Sequence, residues 1–373
     1  MKLYTGEFSK ICSEIERTNK RIIIYGAGMI GSVTTLSILN ENNLLGRVAF
    51  FADGDSKKWG TEVEGIRVEP KSRLKEINGS DFILIIAISR FYDLYLELEE
   101  YENLKATECY TIPMLCIDNY SVHNESIIKK SSDKPLIPKV INYMWLGHNP
   151  LPVPLQKCID SWKKFCSDYE IRCFNEDNYD IEKVPYMKQA YEAKAFGFVP
   201  DYARLDILYN YGGIYLDTDV ELVKPLDELL YQEAFCCVEK WQTVNFGGGS
   251  GAAPGNKLIG DLLKERERIS FIEKDGSQNR NTCGYYDTKF FMERGYRING
   301  ELQTIEGVSV YPYEVFHPYD YMSGNTSVSE NTYGIHHFNG GWLDEKQAEA
   351  NRLSVKNYER VCELANRIKS LGY

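Results

Sequence analysis

Apolar runs and polar gaps divide the chain into two stretches of alternating strand and helix. Residues 21–25 (RIIIY) form a β-branched run that stops at Gly26-Ala27-Gly28-Met29-Ile30-Gly31, and a helix-like stretch follows to Asn40. Further strands are predicted over 47–51, ending at Ala52-Asp53, and over 81–88, with another apolar piece over 109–116. Strands alternating with helical segments predict a parallel, doubly wound sheet. Ser, Asn, Lys and Pro then take over, which predicts a first domain over 1–118, a linker over 119–136 and a second domain over 137–373. The second domain is predicted to open on a strand over 139–146. A helix over 155–166, a strand over 170–174 and helices through Tyr209 come next, and Gly212-Gly213 closes the last helix. A strand over 214–220 follows at once. The tail, 345–371, spaces Leu353, Tyr358, Val361, Leu364 and Ile368 as one helical face.

Length and charge sharpen this picture. At 373 residues the chain is long for one core, so two domains are expected. With 43 Lys and Arg against 54 Asp and Glu, the net charge is −11. That balance argues against a nucleic-acid binder, which needs a basic stripe to displace counterions. It leaves room for a phosphate-bearing small molecule if a metal supplies the missing positive charge. The ten cysteines show no C-x-x-C pair or zinc-finger spacing. No leader-like segment opens the chain and no apolar run reaches the ~18 residues of a membrane span. A cytoplasmic protein with reduced thiols is expected, with peripheral contact at the inner face of a membrane as an option. Tyrosine is abundant, at 27 copies, and aromatic faces stack on sugars as well as filling cores.

The first chemical signal is G-x-G-x-x-G between a strand and a helix. Gly26, Gly28 and Gly31 would let backbone amides approach a phosphate, and Asp53 at the end of the second strand sits where a ribose-binding carboxylate would. The same glycines also serve a tight turn and helix–strand packing. The segment Phe51 to Asp55, with Trp59-Gly60 and Val63 to Val68, resembles the small Rossmann-like domain that precedes nucleotide-sugar acetyltransferases and other sugar-modifying enzymes. That resemblance implies a domain that binds a nucleotide sugar or has lost its ligand.

The second signal is stronger. Asp201-Tyr-Ala-Arg204 places an acid and an arginine three apart on one helical face, and Tyr215-Leu216-Asp217-Thr218-Asp219 follows the double glycine. Read as a strand, this segment aims Asp217 and Asp219 at one side. Two carboxylates so placed can share a hard divalent cation, which would bridge a diphosphate and stabilise charge on a departing nucleoside diphosphate. Arg204 offers a fork of donors to phosphate or sugar oxygens, and Asp201 can take a sugar hydroxyl.

The whole D-x-x-R … Y-G-G-I-Y-L-D-x-D string resembles the D-x-D-containing sugar transferases of glycosyltransferase family 32, which include yeast-type mannosyltransferases and bacterial capsular transferases. It is also similar to the catalytic domain of the clostridial glucosylating toxins. Residues 137–147 (IPKVINYMWLG), Ser161-Trp162 and Cys173 to Glu176 extend the resemblance over about 137–345. It implies an α/β architecture with a GT-A type transferase domain behind a small Rossmann-like parallel-sheet domain. It further implies a nucleotide-sugar donor, UDP-linked as in the toxin-like members, a manganese or magnesium ion, and retention of anomeric configuration. Carried over, Trp145 stacks on the nucleobase, Asp201 and Arg204 hold donor sugar and phosphate, Asp217 contacts ribose or sugar, and Asp219 binds the metal.

A third segment, Ile335-His336-His337-Phe338-Asn339-Gly340-Gly341-Trp342, pairs two of the five histidines with an indole. An imidazole is a fitting further ligand for manganese, and neighbouring histidines on a strand face opposite ways, so one is expected to reach the metal. The family's H-x-x-G spacing implies His337, with Asn339 and Trp342 on phosphate. The segments Asn245 to Gly251 and Asn281-Thr282-Cys283-Gly284 stand where the family joins donor to acceptor, but with cysteine and glycine in place of the usual glycine and proline. No residue stands out as a general base. The expected function is transfer of a hexose or N-acetylhexosamine to a saccharide or lipid-linked saccharide in surface-polysaccharide or glycan synthesis. An NAD(P)-dependent oxidoreductase using the glycine loop and a non-catalytic nucleotide-sugar sensor are the alternatives.

Overall fold

The structure, a computed structural model, describes residues 1–4, 6, 8–89, 91–120, 122–321 and 324–339, together with 349, 353, 356, 359, 360 and 363. The tail expected as a helix therefore lies almost wholly outside the described residues, as does Trp342. The chain divides into two compact units, one built on residues 1–121 and the other on 122–321 and the described part of 325–348.

The first unit has strands β1 (Lys2–Tyr4), β2 (Arg21–Tyr25), β3 (Val48–Asp53), β4 (Glu62–Val63), β5 (Ile66–Pro70), β6 (Phe82–Ile86) and β7 (Glu108–Thr111). They form one sheet in the order β1-β7-β6-β2-β3-β5-β4, parallel except where β4 meets β5. Helices α1 (Phe8–Arg17), α2 (Leu36–Glu41), α3 (Phe91–Glu99) and α4 (Ile112–Asn119) connect the strands. Because β3 lies on one side of β2 and β6 on the other, the strand order reverses at β2. That is where ligands of open α/β sheets bind. Ile22, Ile23, Ile24 and Ile83 through Ile86 are buried, as central parallel strands covered on both faces require. The apolar piece at 109–116 is half strand and half helix, since Pro113 at the second position of α4 suits a helix start.

The second unit is a mixed sheet in the order β15-β16-β12-β14-β10-β8-β9. Its strands are β8 (Val140–Met144), β9 (Glu170–Phe174), β10 (Gly213–Tyr215), β12 (Ala234–Val238), β13 (Val244–Asn245), β14 (Ser250–Ala252), β15 (Gln303–Ile305) and β16 (Val308–Tyr311), with β13 paired to β12. A separate ribbon joins β11 (Val220–Leu222) to β17 (Gly334–His336). The helices are α5 (Val153–Phe165), α6 (Pro185–Glu192), α7 (Pro200–Tyr211), α8 (Lys257–Arg266) and α9 (Cys283–Met292). The core gathers Ile141, Trp162, Ile214, Leu216, Val220, Phe235, Tyr311 and Phe316.

The segment expected as one strand over 214–220 is two strands with a turn between them. β10 pairs with β8 and β14, whereas β11 pairs only with β17. The change of partner breaks the strand at Leu216–Asp219, so the D-x-D pair sits in the connecting turn. Two motif residues hold that turn from behind: Trp162 Nε1 donates to Val220 O at 2.7 Å, and Ser161 Oγ accepts from Leu222 N at 2.8 Å. The stretch 122–138, part of the expected linker, belongs to the second unit and packs within it. Ser131 N donates to Tyr231 O, Leu136 N to Leu230 O and Ile127 N to Asn331 Oδ1.

Candidate active site

Helix α7 starts on Pro200, whose fixed φ suits a first turn, and this sets Asp201 and Arg204 on one buried face. Arg204 Nη2 lies 3.4 Å from Asp201 Oδ1 and 3.4 Å from Asp217 Oδ1. Its Nη1 donates to Cys283 Sγ at 3.4 Å. The guanidinium is thus the hub of the D-x-x-R and D-x-D motifs. Burial pushes the Asp201 carboxyl up, and Arg204 and Arg266 oppose that pull without cancelling it. Burial alone would favour neutral Arg204, but Asp217, Cys283 and Asp201 hold its pKa well above the usual value. Asp206, the other acid in the string, has a framework role: it accepts from Tyr179 Oη at 2.7 Å and Lys183 Nζ at 2.6 Å.

Asp219 is held from three sides by the C-terminal ribbon. Its Oδ1 is 3.2 Å from His336 Nε2, its Oδ2 accepts from Asn339 N at 2.9 Å, and its carbonyl accepts from His337 N at 3.0 Å. Burial would raise its pKa, but His336 and the Asn339 amide bring it down to about 2. His336 is raised in turn, because Asp219 outweighs the burial of its ring. The imidazole beside the acidic pair is therefore that of His336, where the motif spacing pointed to His337. The His337 ring turns to Glu221, 3.0 Å away. The register explains the difference: His336 sits opposite Val220, directly after Asp219, and the next residue faces the other way. Phe338, at φ 48°, folds the chain so that its ring stacks on His336 at 4.1 Å.

A glycine loop closes the site from below. Asp217 N donates to Gly247 O at 2.7 Å, and Asn245 Oδ1 accepts from Gly247 N and Gly248 N. A Cβ on Gly247 would collide with Asp217 Oδ2 and Arg204 Nη1, and one on Gly248 with His317 Nε2 and His336 Nδ1. His317, which no motif singles out, packs 5.3 Å from His336 and is fully buried. Glu239, which accepts from Asn245 Nδ2 at 2.7 Å, and the buried pair Arg266 and Asp287 were not legible at all. Trp145 is partly exposed, and its Nε1 donates to Asn149 O at 2.6 Å. The Asn339 side chain is exposed.

A divalent cation suits what is present. Asp217 and Asp219 are hard oxygen donors whose side chains keep 26% and 14% of their surface exposed. Among the described residues no three His, Cys, Asp or Glu side chains converge as a cage. Two carboxylates without a cage match the way Mg²⁺ and similar ions are held, with substrate phosphates and water completing the shell.

The glycine loop of the first unit is built differently. A Cβ on Gly31 would strike Gly26 O, so that glycine is required by packing, whereas Gly28 faces open space with Lys58 Nζ 4.0 Å away. The Asp53 side chain is 11% exposed and is bound within its own loop. Its Oδ2 accepts from Ala27 N at 2.7 Å and Lys58 Nζ at 3.3 Å, and its Oδ1 accepts from Asp55 N at 2.8 Å.

Residues 152–236 match the family model described as "Glycosyltransferase sugar-binding region containing DXD motif". The chain is 28% identical over 163 residues to inositol phosphoceramide mannosyltransferase 1 of Schizosaccharomyces pombe, covering 41% of this chain and 47% of that protein. It is 33% identical over 171 residues to mannosyltransferase 3 of the same series and organism, covering 43% and 45%. The chain thus spans about half the length of these curated relatives. Among solved structures it is similar to PaToxG glycosyltransferase, at 16% identity and TM-score 0.34 over 42% of this chain and 70% of that one. It is also similar to the galactosyltransferase LgtC solved with donor and acceptor sugar analogs, at 12% identity and TM-score 0.31 over 58% and 94%. The chain is related to the D-x-D-containing sugar transferases, the class its motifs resemble. The relatives named here are glycosyltransferases.

Proposed function

We propose that the second unit is a GT-A type glycosyltransferase that moves a hexose or N-acetylhexosamine from a nucleotide sugar to a saccharide acceptor. The observation that carries this reading is the Arg204 guanidinium set 3.4 Å from both Asp201 and Asp217. It joins a sugar-binding acid, a phosphate-binding cation and the D-x-D pair in one site. Asp217 and Asp219 would hold Mn²⁺ or Mg²⁺. When bound, the ion neutralises the diphosphate and stabilises it as a leaving group.

The chain's own residues do the rest. Arg204 donates to a phosphate or sugar oxygen, Asp201 accepts a hydrogen bond from a sugar hydroxyl, and the Trp145 ring stacks on the nucleobase. The Asn339 amide and the His336 ring fix Asp219 in its ionised form. Transfer with retention needs no separate base if the leaving phosphate takes the acceptor proton. The acceptor is read as a saccharide or lipid-linked saccharide of surface-polysaccharide or glycan synthesis. The first unit is read as a nucleotide-sugar-binding or structural module. The Asp53 carboxylate, hydrogen-bonded within its own loop, supports the structural role.

The test is a panel of UDP- and GDP-sugars, mannosyl donors included because of the relatives' names, with Mn²⁺ or Mg²⁺ and scored by nucleotide release. Release from one donor that disappears with EDTA supports the reading. Release from none, with a folded protein and added saccharide acceptors, contradicts it.

A further inference from the structure

Behind the donor site lies a charged pair that the proposed chemistry does not use. Arg266, at the end of α8, and Asp287, in α9, are 4% and 1% exposed. Arg266 Nη2 is 2.7 Å and Nε 3.2 Å from Asp287 Oδ1. The same Nη2 donates to the carbonyl of Cys283 at 2.9 Å, and the guanidinium lies over the Tyr286 ring at 4.8 Å. Cys283 is the first residue of α9, and its thiol accepts from Arg204 Nη1. An unbroken chain of contacts therefore runs from Asp287 through Arg266 and Cys283 to Arg204. Desolvating two charges costs more than a generic fold contact returns, and an apolar pair of similar volume would fill this space at least as well. The pair's geometry has a use beyond packing. A planar guanidinium can clamp a carboxylate, a backbone carbonyl and an aromatic face together, which a hydrophobic side chain cannot.

We propose that Arg266 and Asp287 are positioning residues of the donor-sugar site: they fix the first turn of α9 so that Cys283 holds the Arg204 fork towards Asp201 and Asp217. The Arg266 charge also opposes the rise that burial gives the Asp201 pKa, so it serves that acid as a second cation. This inference rests on the glycosyltransferase reading. It adds to that reading what keeps the sugar-binding acid and the phosphate-binding arginine in register. Both residues act through Arg204 and Cys283, so their loss should weaken donor binding more than it slows the bound donor's chemistry.

Three variants separate positioning from folding. Arg266→Lys keeps the charge and loses the fork. Asp287→Asn keeps the shape and loses the charge. The double variant Arg266→Met/Asp287→Leu removes the pair without leaving a lone buried charge, so it is the one expected to fold most securely. Steady-state nucleotide release should show donor KM raised ~10-fold in the double variant with kcat within ~3-fold, and a smaller rise in Arg266→Lys. A crystal structure of the double variant should show Arg204 Nη1 and Cys283 Sγ out of hydrogen-bond range. A folded double variant with unchanged donor KM, or with that contact intact, overturns the proposal. If the wild type releases nucleotide from no donor, the glycosyltransferase reading alone fails, and the Arg204–Cys283 contact in the crystal still decides whether the pair positions Arg204.

Discussion

The two units each carry a glycine loop beside an aspartate, and they use these parts in opposite ways. In the first unit every oxygen of the Asp53 carboxylate is bound by its own module, through Ala27 N, Lys58 Nζ and Asp55 N. Gly31 is small because the Gly26 carbonyl presses on it. In the second unit, Gly247 and Gly248 are small because charged and titratable side chains press on them: Asp217, Arg204, His317 and His336. There the polar groups are not all matched. Arg204 Nε and His336 Nδ1 are buried without partners. Buried polar groups are normally paired, and local rules fail mainly where function requires it. Asp219 is bound on both oxygens as Asp53 is, so the difference lies in the unpartnered Arg204 and His336 nitrogens around the acidic pair, and these read as a site.

The largest effect that would break this comparison is chemical. Asp219→Asn should lower nucleotide release by ~10²–10³-fold, as loss of a preorganised charge group does. Release within a few-fold of wild type would remove Asp219 from the chemistry. Next is Gly247→Ala, which must displace Asp217 or Arg204. A shift of that kind should cost ~10²-fold in kcat/KM, whereas Gly28→Ala, facing open space, should leave both release and Tm unchanged.

How much of this was legible in the chain follows from which contacts are local. The strand over 170–174 was predicted to the residue, because polar Glu170 and Arg172 alternate with apolar Ile171 and Cys173 ahead of Phe174. The glycine pair closing α7 was also legible, since Gly212 and Gly213 both take positive φ, at 66° and 92°. The break at Leu216–Asp219 was not. It arises because β11 leaves the main sheet to pair with β17, more than a hundred residues later in the chain. The choice between His336 and His337 turned on that same pairing register. The Arg266–Asp287 pair and Glu239 carry no spacing signal, since single charged residues look like surface until the fold buries them.

A smaller effect separates stability from activity. Asp53→Asn should weaken the loop of the first unit and lower the unfolding free energy by about 1–3 kcal/mol, the usual consequence of breaking a buried hydrogen-bond set. It should leave nucleotide release per folded molecule unchanged. Equal loss of release in Asp53→Asn and Asp219→Asn would show that the two glycine loops are not functionally distinct.

The smallest expected effect concerns charge that holds chain instead of ligand. His123 Nδ1 lies 2.5 Å from the buried Glu314 Oε1, and its Nε2 is 3.3 Å from Glu301 Oε2. Burial favours the neutral ring, but the two glutamates outweigh it and raise the pKa. A raised histidine stabilises fully below its unfolded pKa of about 6.5 and loses that contribution as pH climbs through the folded value. The Tm advantage of wild type over His123→Gln should therefore be greatest near pH 6 and shrink towards pH 9. An advantage that grows with pH would show that the ring is not held protonated by the two glutamates.

The most direct test of the central claim, that Asp201, Arg204, Asp217 and Asp219 form a metal-dependent donor site, is calorimetric binding of UDP and GDP. Wild type, Asp219→Asn and Asp53→Asn would each be titrated with Mn²⁺ and with EDTA. One nucleotide should bind wild type and Asp53→Asn only with the metal, and Asp219→Asn should not bind it. Binding that ignores EDTA and survives Asp219→Asn, or that is lost with Asp53→Asn, would contradict the account.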